Sequence, residues 1–258
     1  MKNRKPVLVS IITVVYNNVA SVRTAIESVL SQDYQHIEYI VVDGGSTDGT
    51  LEILNEYSKY FSVFISEPDN GIYDALNKGI QSSSGDIIAT LHSDDKYLNK
   101  SVVTDYALTF SLSDVEICFS DLIIVKKETG RIFRYYRAGF FKKWLFRIGW
   151  MPPHPTCFIK KTLFEEFGLY STSYKIAGDF DLLVRMFYGR DINWSYLDII
   201  SIEMSNGGAS SSDWKSKKII AQEINKILQE NNIFTLSILQ IVRYFIRLLE
   251  LLTRPKKY

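Results

Sequence analysis

The chain has 258 residues, 46% hydrophobic and 14% aromatic, enough to bury a substantial core as one large α/β domain or a domain with an appendage. A net charge of +1 supplies no global field for nucleic acid, so no nucleic-acid partner is expected. Cys118 and Cys157 lie far apart without CxxC or Cys/His spacing, which excludes a cysteine metal site and reads as two reduced core thiols of a cytosolic protein.

The first half alternates in period. Val7 to Val15 is an apolar, β-branched run that predicts a buried strand, and Ala20 to Gln32 carries Val22, Ala25, Ile26, Val29 and Leu30 at helical spacing. Further strands are predicted over residues 39–42, 63–65 and 86–91, with helices over 47–57 and 73–80 between them. Strands separated by helices of this length imply a parallel sheet with right-handed crossovers, whose ligands bind beyond the carboxyl ends of the strands. Polar and acidic groups collect at those ends: Thr13 to Asn17, Asp43 to Gly49, Glu67 to Gly71, and His92-Ser93-Asp94-Asp95.

The second half is less regular. Residues 116–125 and 131–136 read as strands, 140–150 as an aromatic, basic segment, 151–155 as a rigid Pro-Pro-His-Pro loop, 157–159 as a strand and 179–188 as a helix. Trp144 and Trp150, with Lys142, Lys143 and Arg147, are candidate acceptor or membrane contacts, or an exposed aromatic loop over the site. Residues 205–212 are rich in Gly and Ser and expected to be mobile, and helical patterns run from Trp214 onward. From Ile233 to Leu252 the polar exceptions Gln240, Arg243, Arg247 and Glu250, with Arg254 beyond, form one helical stripe. Charges inside the stretch argue against a span. They fit an amphipathic helix lying on a membrane surface, with Arg254, Lys256 and Lys257 towards anionic lipid, or a helix packed on the domain or on a dimer partner.

Adjacent carboxylates at a strand end suit a hard divalent cation, Mg²⁺ or Mn²⁺, which binds through one or two carboxylates plus substrate phosphates. Asp94 and Asp95 are therefore candidate metal ligands, weighed against a turn or helix cap. Asp43-Gly44-Gly45-Ser46 offers a carboxylate for a base or ribose and glycines for close backbone approach. It is neither a Walker loop nor a GxGxxG fingerprint, and a capped tight turn is the competing reading.

The segments VSIITVVYNN, IEYIVVDGGSTDGT, EPDNGIYDALNKGI, GDIIATLHSDD and AGDFDLLVR occur in an order that resembles family 2 glycosyltransferases of GT-A fold, over roughly residues 7–205. The DNGIYDALNKGI form is similar to bacterial enzymes that assemble O-antigen, capsule or exopolysaccharide repeats. The resemblance implies inverting transfer of a sugar from a nucleotide diphosphate sugar, with UDP-sugars favoured, to a hydroxyl of a glycan or lipid-linked acceptor. It implies an α/β fold with a Rossmann-like, mostly parallel sheet flanked by helices and a C-terminal helical appendage. Residues 1–205 would be the catalytic domain, split near 97 into nucleotide and acceptor halves, and 206–258 a loop with C-terminal helices. By motif, Thr13, Tyr16, Asn17, Asp43 and Asp94 would line the nucleotide, Asp94 and Asp95 would hold metal, and Asp179 would be the general base. His92 stands where the family often has Asp.

Ala177-Gly178 is expected to leave room for an acceptor sugar beside Asp179, and Asp181 to pair with Arg185 at i,i+4. His154 and Asp74 are candidates for acceptor or phosphate contact, against a packed histidine and an Asp74–Lys78 surface ion pair. Rival readings are a sugar-nucleotide nucleotidyltransferase, which would need a glycine-rich basic loop where Tyr16-Asn17-Asn18 stands, and a non-catalytic scaffold. The basic N-terminus MKNRKPVLVS lacks a leader's apolar segment, so a cytoplasmic location is expected, peripheral on the inner membrane face through residues 233–258.

Overall fold

The structure is a computed structural model that describes residues 6–206, 214–235 and 240–252. The Gly/Ser-rich stretch expected to be mobile falls largely, and the basic tail with Arg254, Lys256 and Lys257 wholly, outside the described residues. Chain order is β1 (Val9–Val15), α1 (Val22–Leu30), β2 (Ile37–Asp43), α2 (Thr50–Tyr57), β3 (Val63–Ser66), α3 (Ile72–Gln81), β4 (Ile87–Thr90), β5 (Asp95–Tyr97), α4 (Val102–Leu112), β6 (Ile117–Val125), β7 (Ile132–Tyr136), β8 (Phe158–Lys160), α5 (Lys161–Phe167), α6 (Gly178–Gly189), β9 (Trp194–Ser205), α7 (Trp214–Glu230) and α8 (Gln240–Leu252). Short 3-10 turns cover Lys143–Ile148 and His154–Thr156.

One sheet runs β3-β2-β1-β4-β8-β6-β9-β5, with β7 paired to β6. Its first four strands are parallel, and β8 enters antiparallel to β4. The chain steps outward from β1 to β2 and β3, then returns to lay β4 on the other side of β1. The β1/β4 boundary is thus the point where strand order reverses, the place where open α/β sheets bind ligands beyond the carboxyl ends of their strands. The two-residue period of β1 sorts its side chains. Ile12 and Val14 join the core under α3 and α6, while Val9, Ile11 and Val15 join the core under α1 and α4. Both faces are covered, which is why these strands read as unbroken apolar runs.

Trp150 is not an exposed contact: it is buried against Phe140, Phe141 and Tyr136, whereas Trp144 lies open to solvent. Cys118 and Cys157 are both free and buried. Nor do the C-terminal helices stand apart. Ile224, Ile227 and Leu228 of α7 enter the main core, and α8 packs on β7 and the 143–148 turn. Part of the polar stripe of α8 faces inward: Arg243 and Glu250 are buried, Glu250 pairs with Arg134, and Arg247 is exposed. No helix among the described residues is long and apolar enough to cross a membrane.

Candidate active site

Four loops meet at the carboxyl edge of the parallel strands, tied by side chains that bond from one loop to the next. Asn17 sits at φ 46°, a left-handed conformation that Asn tolerates. That bend lets its Oδ1 accept the Thr47 N–H at 2.8 Å while its own N–H donates to the Ser46 hydroxyl at 2.8 Å. Asn18 reaches both ways: its N–H donates to Thr50 Oγ1 and its side-chain amide to the Ser93 hydroxyl, at 2.8 and 2.9 Å. The β1 loop is thus the hinge pin between the β2 loop and the acidic β4–β5 loop.

The glycines of the β2 loop admit protein rather than open space. A Cβ on Gly44 would lie 2.4 Å from Asp69 Oδ2, so the β3 loop folds onto this backbone. Asp43 is 0% exposed, and its carboxylate accepts the N–H groups of Gly45 and Ser46 and the Ser66 hydroxyl. The carboxylate that the sequence offers to a base therefore shapes the loop on which a base would rest. Thr13 is buried too, receiving the Tyr39 hydroxyl at 3.2 Å, which puts the β1 contact with any ligand on its neighbours. Tyr16, 64% exposed, is free to lie along a bound ring.

The acidic pair divides in two. Asp94 is half-buried at the loop. Asp95 is the first residue of β5, 2% exposed, and neither of its carboxylate oxygens has a hydrogen-bond partner among the described residues. His92 Nδ1 and Thr90 Oγ1 are unpartnered in the same way. Burial pushes the Asp95 carboxyl well above the usual carboxylate range, with the charge of Asp94 adding to it, and holds the His92 imidazole below its usual value. An unsatisfied buried carboxylate costs about 1–3 kcal/mol or more. Among the described residues no three His, Cys, Asp or Glu side chains form a metal cage, so a cation here would take most of its coordination sphere from other oxygens.

Asp179 lies in the first turn of α6, half-buried, with Oδ1 accepting the Phe180 N–H at 2.7 Å. Burial raises its carboxyl to about 6, backbone donors pull it down, and the charge of Glu223 pushes it up again. Desolvation thus outweighs the helix N-terminus, and the group is poised to take a proton near neutrality. Asp181 points elsewhere and pairs with Arg185 at 2.9 Å, whose guanidinium also binds the carbonyls of Phe167 and Leu169.

The supports of Asp179 come from α3 and α7. The Tyr73 hydroxyl donates to the Ile176 carbonyl and accepts the Gly178 N–H. The Asn77 amide takes both backbone groups of Tyr170 at 2.9 Å, and Tyr73 stacks on Tyr170. Gly178 makes room for Tyr73, not for an acceptor sugar, because a Cβ there would sit 2.7 Å from that ring. From α7, the Glu223 carboxylate accepts three successive N–H groups, those of Lys175, Ile176 and Ala177, at 2.8–3.1 Å. Sequence reading gave no role to Asn18, Tyr73, Asn77 or Glu223. The partners of Tyr73, Asn77 and Glu223 are backbone groups, which leave no trace in residue type, and those of Asn18 are hydroxyls 32 and 75 residues away.

Two candidates turn inward. His154 is 5% exposed, its Nε2 is 2.7 Å from the Tyr170 hydroxyl, and burial lowers its imidazole to about 3, so it is a neutral packing residue under the site. Asp74 accepts the Asn70 N–H at 3.0 Å ahead of α3 and lies 3.7 Å from Lys78. Its carboxylate closes a helix start.

Comparison with known proteins agrees with this architecture. An uncharacterized glycosyltransferase of Mycobacterium tuberculosis (strain CDC 1551 / Oshkosh) is 32% identical over 186 residues, 69% of this chain and 68% of its own length. A PGL/p-HBAD biosynthesis glycosyltransferase of Mycobacterium bovis (strain BCG / Pasteur 1173P2) is 26% identical over 208 residues, 79% of each chain. Among solved structures, S. aureus TarS in complex with UDP-GlcNAc superposes with a TM-score of 0.65 at 19% identity, over 87% of this chain and 71% of that one. A mannosyltransferase of Pyrobaculum calidifontis in complex with GDP-Man and Mn²⁺ gives a TM-score of 0.63 at 16% identity, over 88% and 64%. These structural likenesses establish the GT-A fold. The family model for glycosyl transferase family 2 matches residues 10–167, from the first strand through the acidic loop and into the acceptor half, and the chain belongs to that family.

Proposed function

We propose that the chain transfers a sugar from a nucleoside diphosphate sugar, with UDP-sugars favoured, to a hydroxyl of a glycan or lipid-linked acceptor, with inversion at the anomeric carbon. The observation that carries this reading is Asp95, a buried carboxylate with two unsatisfied oxygens on a loop that Asn18 ties to the β1 and β2 loops. Its donor set of hard oxygens, beside Asp94, fits Mg²⁺ or Mn²⁺. A cation held there would neutralise charge on the departing diphosphate.

The residues of the chain supply the rest. Tyr16, Asn17 and the 43–49 loop receive the nucleotide, with Asp43 and Ser46 fixing the loop's shape. Asp179, ionised above about pH 6, takes the proton of the acceptor hydroxyl. The oxygen bonds to the anomeric carbon as the carbon–oxygen bond to the diphosphate breaks on the opposite face, and its electron pair leaves with the nucleotide. Positioned base catalysis contributes typically ~10²–10⁴-fold. The UDP-GlcNAc bound by a structural neighbour supports this choice of donor class.

The test is thermal stabilisation by UDP, and separately by GDP, with Mn²⁺ or with chelator, followed by hydrolysis of a panel of nucleotide sugars. Stabilisation by UDP that needs Mn²⁺ and vanishes in Asp95→Asn is expected. Stabilisation unchanged by chelator and by Asp95→Asn removes the cation from the mechanism. No response to either nucleotide, and no hydrolysis, favours a scaffold.

A further inference from the structure

We infer that α8 and the 143–148 turn form a docking surface for an anionic lipid bilayer. The orientation of α8 is the starting observation. Two of its three ionic residues turn to the protein: Glu250 takes Arg134 through a buried pair, and Arg243 is 2% exposed with its guanidinium against Gly149. What α8 presents to solvent is its apolar side. Val242, Phe245, Leu248 and Leu249 are all exposed, Phe245 by 63% and Leu249 by 60%. A soluble domain rarely leaves so contiguous an apolar stripe uncovered.

The surroundings select the occupant. Arg247 is exposed on the same helix, and Arg147 and Lys142 are exposed on or beside the turn against which α8 packs. That turn also exposes Trp144, and exposed Phe234 adjoins Thr235, whose hydroxyl binds the Arg147 carbonyl at 2.6 Å. The one acid of α8, Glu250, is buried, so the named rim carries a single sign. In a two-fold dimer the same patch meets itself, which would set this basic rim against its own copy. Anionic headgroups neutralise the rim while acyl chains accept the stripe, and aromatic side chains suit the boundary between them. The surface is thus an apolar strip on a helix already folded onto the protein, with no need for the helix to peel away.

Co-sedimentation of the full chain with vesicles of phosphatidylcholine, and of phosphatidylcholine with roughly one third phosphatidylglycerol, tests this. Binding to the anionic vesicles, weakened by salt and reduced at least ~10-fold in Phe245→Ser/Leu249→Ser, is expected. Arg147→Glu/Lys142→Glu, which leaves the stripe intact, should lose most of the anionic preference, and it keeps the test decisive if the first variant unfolds. Both variants should hydrolyse donor at the wild-type rate. Absence of binding to either vesicle, or equal binding by wild type and both variants, overturns the proposal. So does a wild-type dimer in sedimentation velocity that Phe245→Ser/Leu249→Ser converts to monomer with vesicle binding unaffected.

Discussion

Replacing Asp179 by Asn separates the cost of burying this carboxylate from its use. Burial raises the carboxyl from 3.8 to about 6. The folded protein therefore holds this proton to higher pH than the unfolded chain does. Protonation stabilises the fold fully below about pH 4, and that contribution is lost as pH rises through about 6. A difference of about 2 pH units, at about 1.4 kcal/mol each, sets a ceiling of about 3 kcal/mol. Asp179 is partly open to water, which screens the effect to about 1–2 kcal/mol. Asn does not titrate and keeps an oxygen for the Phe180 N–H. The variant should match wild type near pH 4 and exceed it above about pH 7, by about 2–4 °C in Tm per kcal/mol. Turnover should fall at least ~10²-fold with donor affinity nearly intact, and the wild-type kcat/KM should show an acid limb near pH 6. Thermal melts between about pH 4 and 8, with donor titrations and the rate profile, measure all three. A variant whose stability relative to wild type does not increase from about pH 4 to pH 7, or that keeps its turnover, refutes the reasoning.

The other expectations follow from the same hydrogen bonds. Asp181→Asn weakens a mostly buried pair with Arg185, so it should cost about 1–3 kcal/mol in a denaturant melt while turnover per folded molecule holds; an inactive but fully stable variant would make Asp181 the base instead. Asp43→Ala strips the acceptor from Gly45, Ser46 and Ser66, and should lose about 2–4 kcal/mol of stability together with nucleotide affinity; lost affinity without lost stability would mean that Asp43 reads the base directly. Glu223→Gln keeps one oxygen to accept from the Ile176 and Ala177 N–H groups, gives up the one that accepts from Lys175, and removes a charge that raises Asp179, so the acid limb of kcat/KM should move to lower pH; an unmoved limb would sever the two residues.

The parallel half of the sheet is legible because burial on both faces leaves a simple trace. Ile11 to Val15, apart from Thr13, and Tyr39 to Val42 are apolar runs, and helical periods separate them. Strand β9 escaped reading for the opposite reason. Trp194–Ser205 mixes apolar and polar residues, its register with β6 shifts around Asp121, and its partner strand lies far away in sequence. Helix α4 was missed because its sequence, VVTDYALTFSL, puts apolar residues on most sides and blurs the helical period. In the site, residue type located Asp94, Asp95 and Asp179 but not their states. That Asp95 is orphaned, Asp43 satisfied and Asp181 paired depends on neighbours 2 to 23 residues distant, or on their absence among the described residues.

Glu223 ties the C-terminal helices to the backbone that leads into Asp179. It stands 46 to 48 residues beyond the backbone that it binds, and nothing in KKIIAQEINK distinguishes it from a solvated helix face. Yet three N–H groups converge on it, and the segment they belong to leads straight into the turn bearing Asp179. A carboxylate held by backbone donors is a rigid strut, because the donors cannot rotate away as side chains can. Tyr73 grips the same segment from α3, so the position of Asp179 is fixed from the nucleotide half and the C-terminal half at once. The same C-terminal half continues into α8, which lies against the 143–148 turn. If the apolar stripe of α8 rests on a bilayer, the C-terminal half of the chain carries both the surface that meets lipid and the strut that holds the backbone ahead of Asp179.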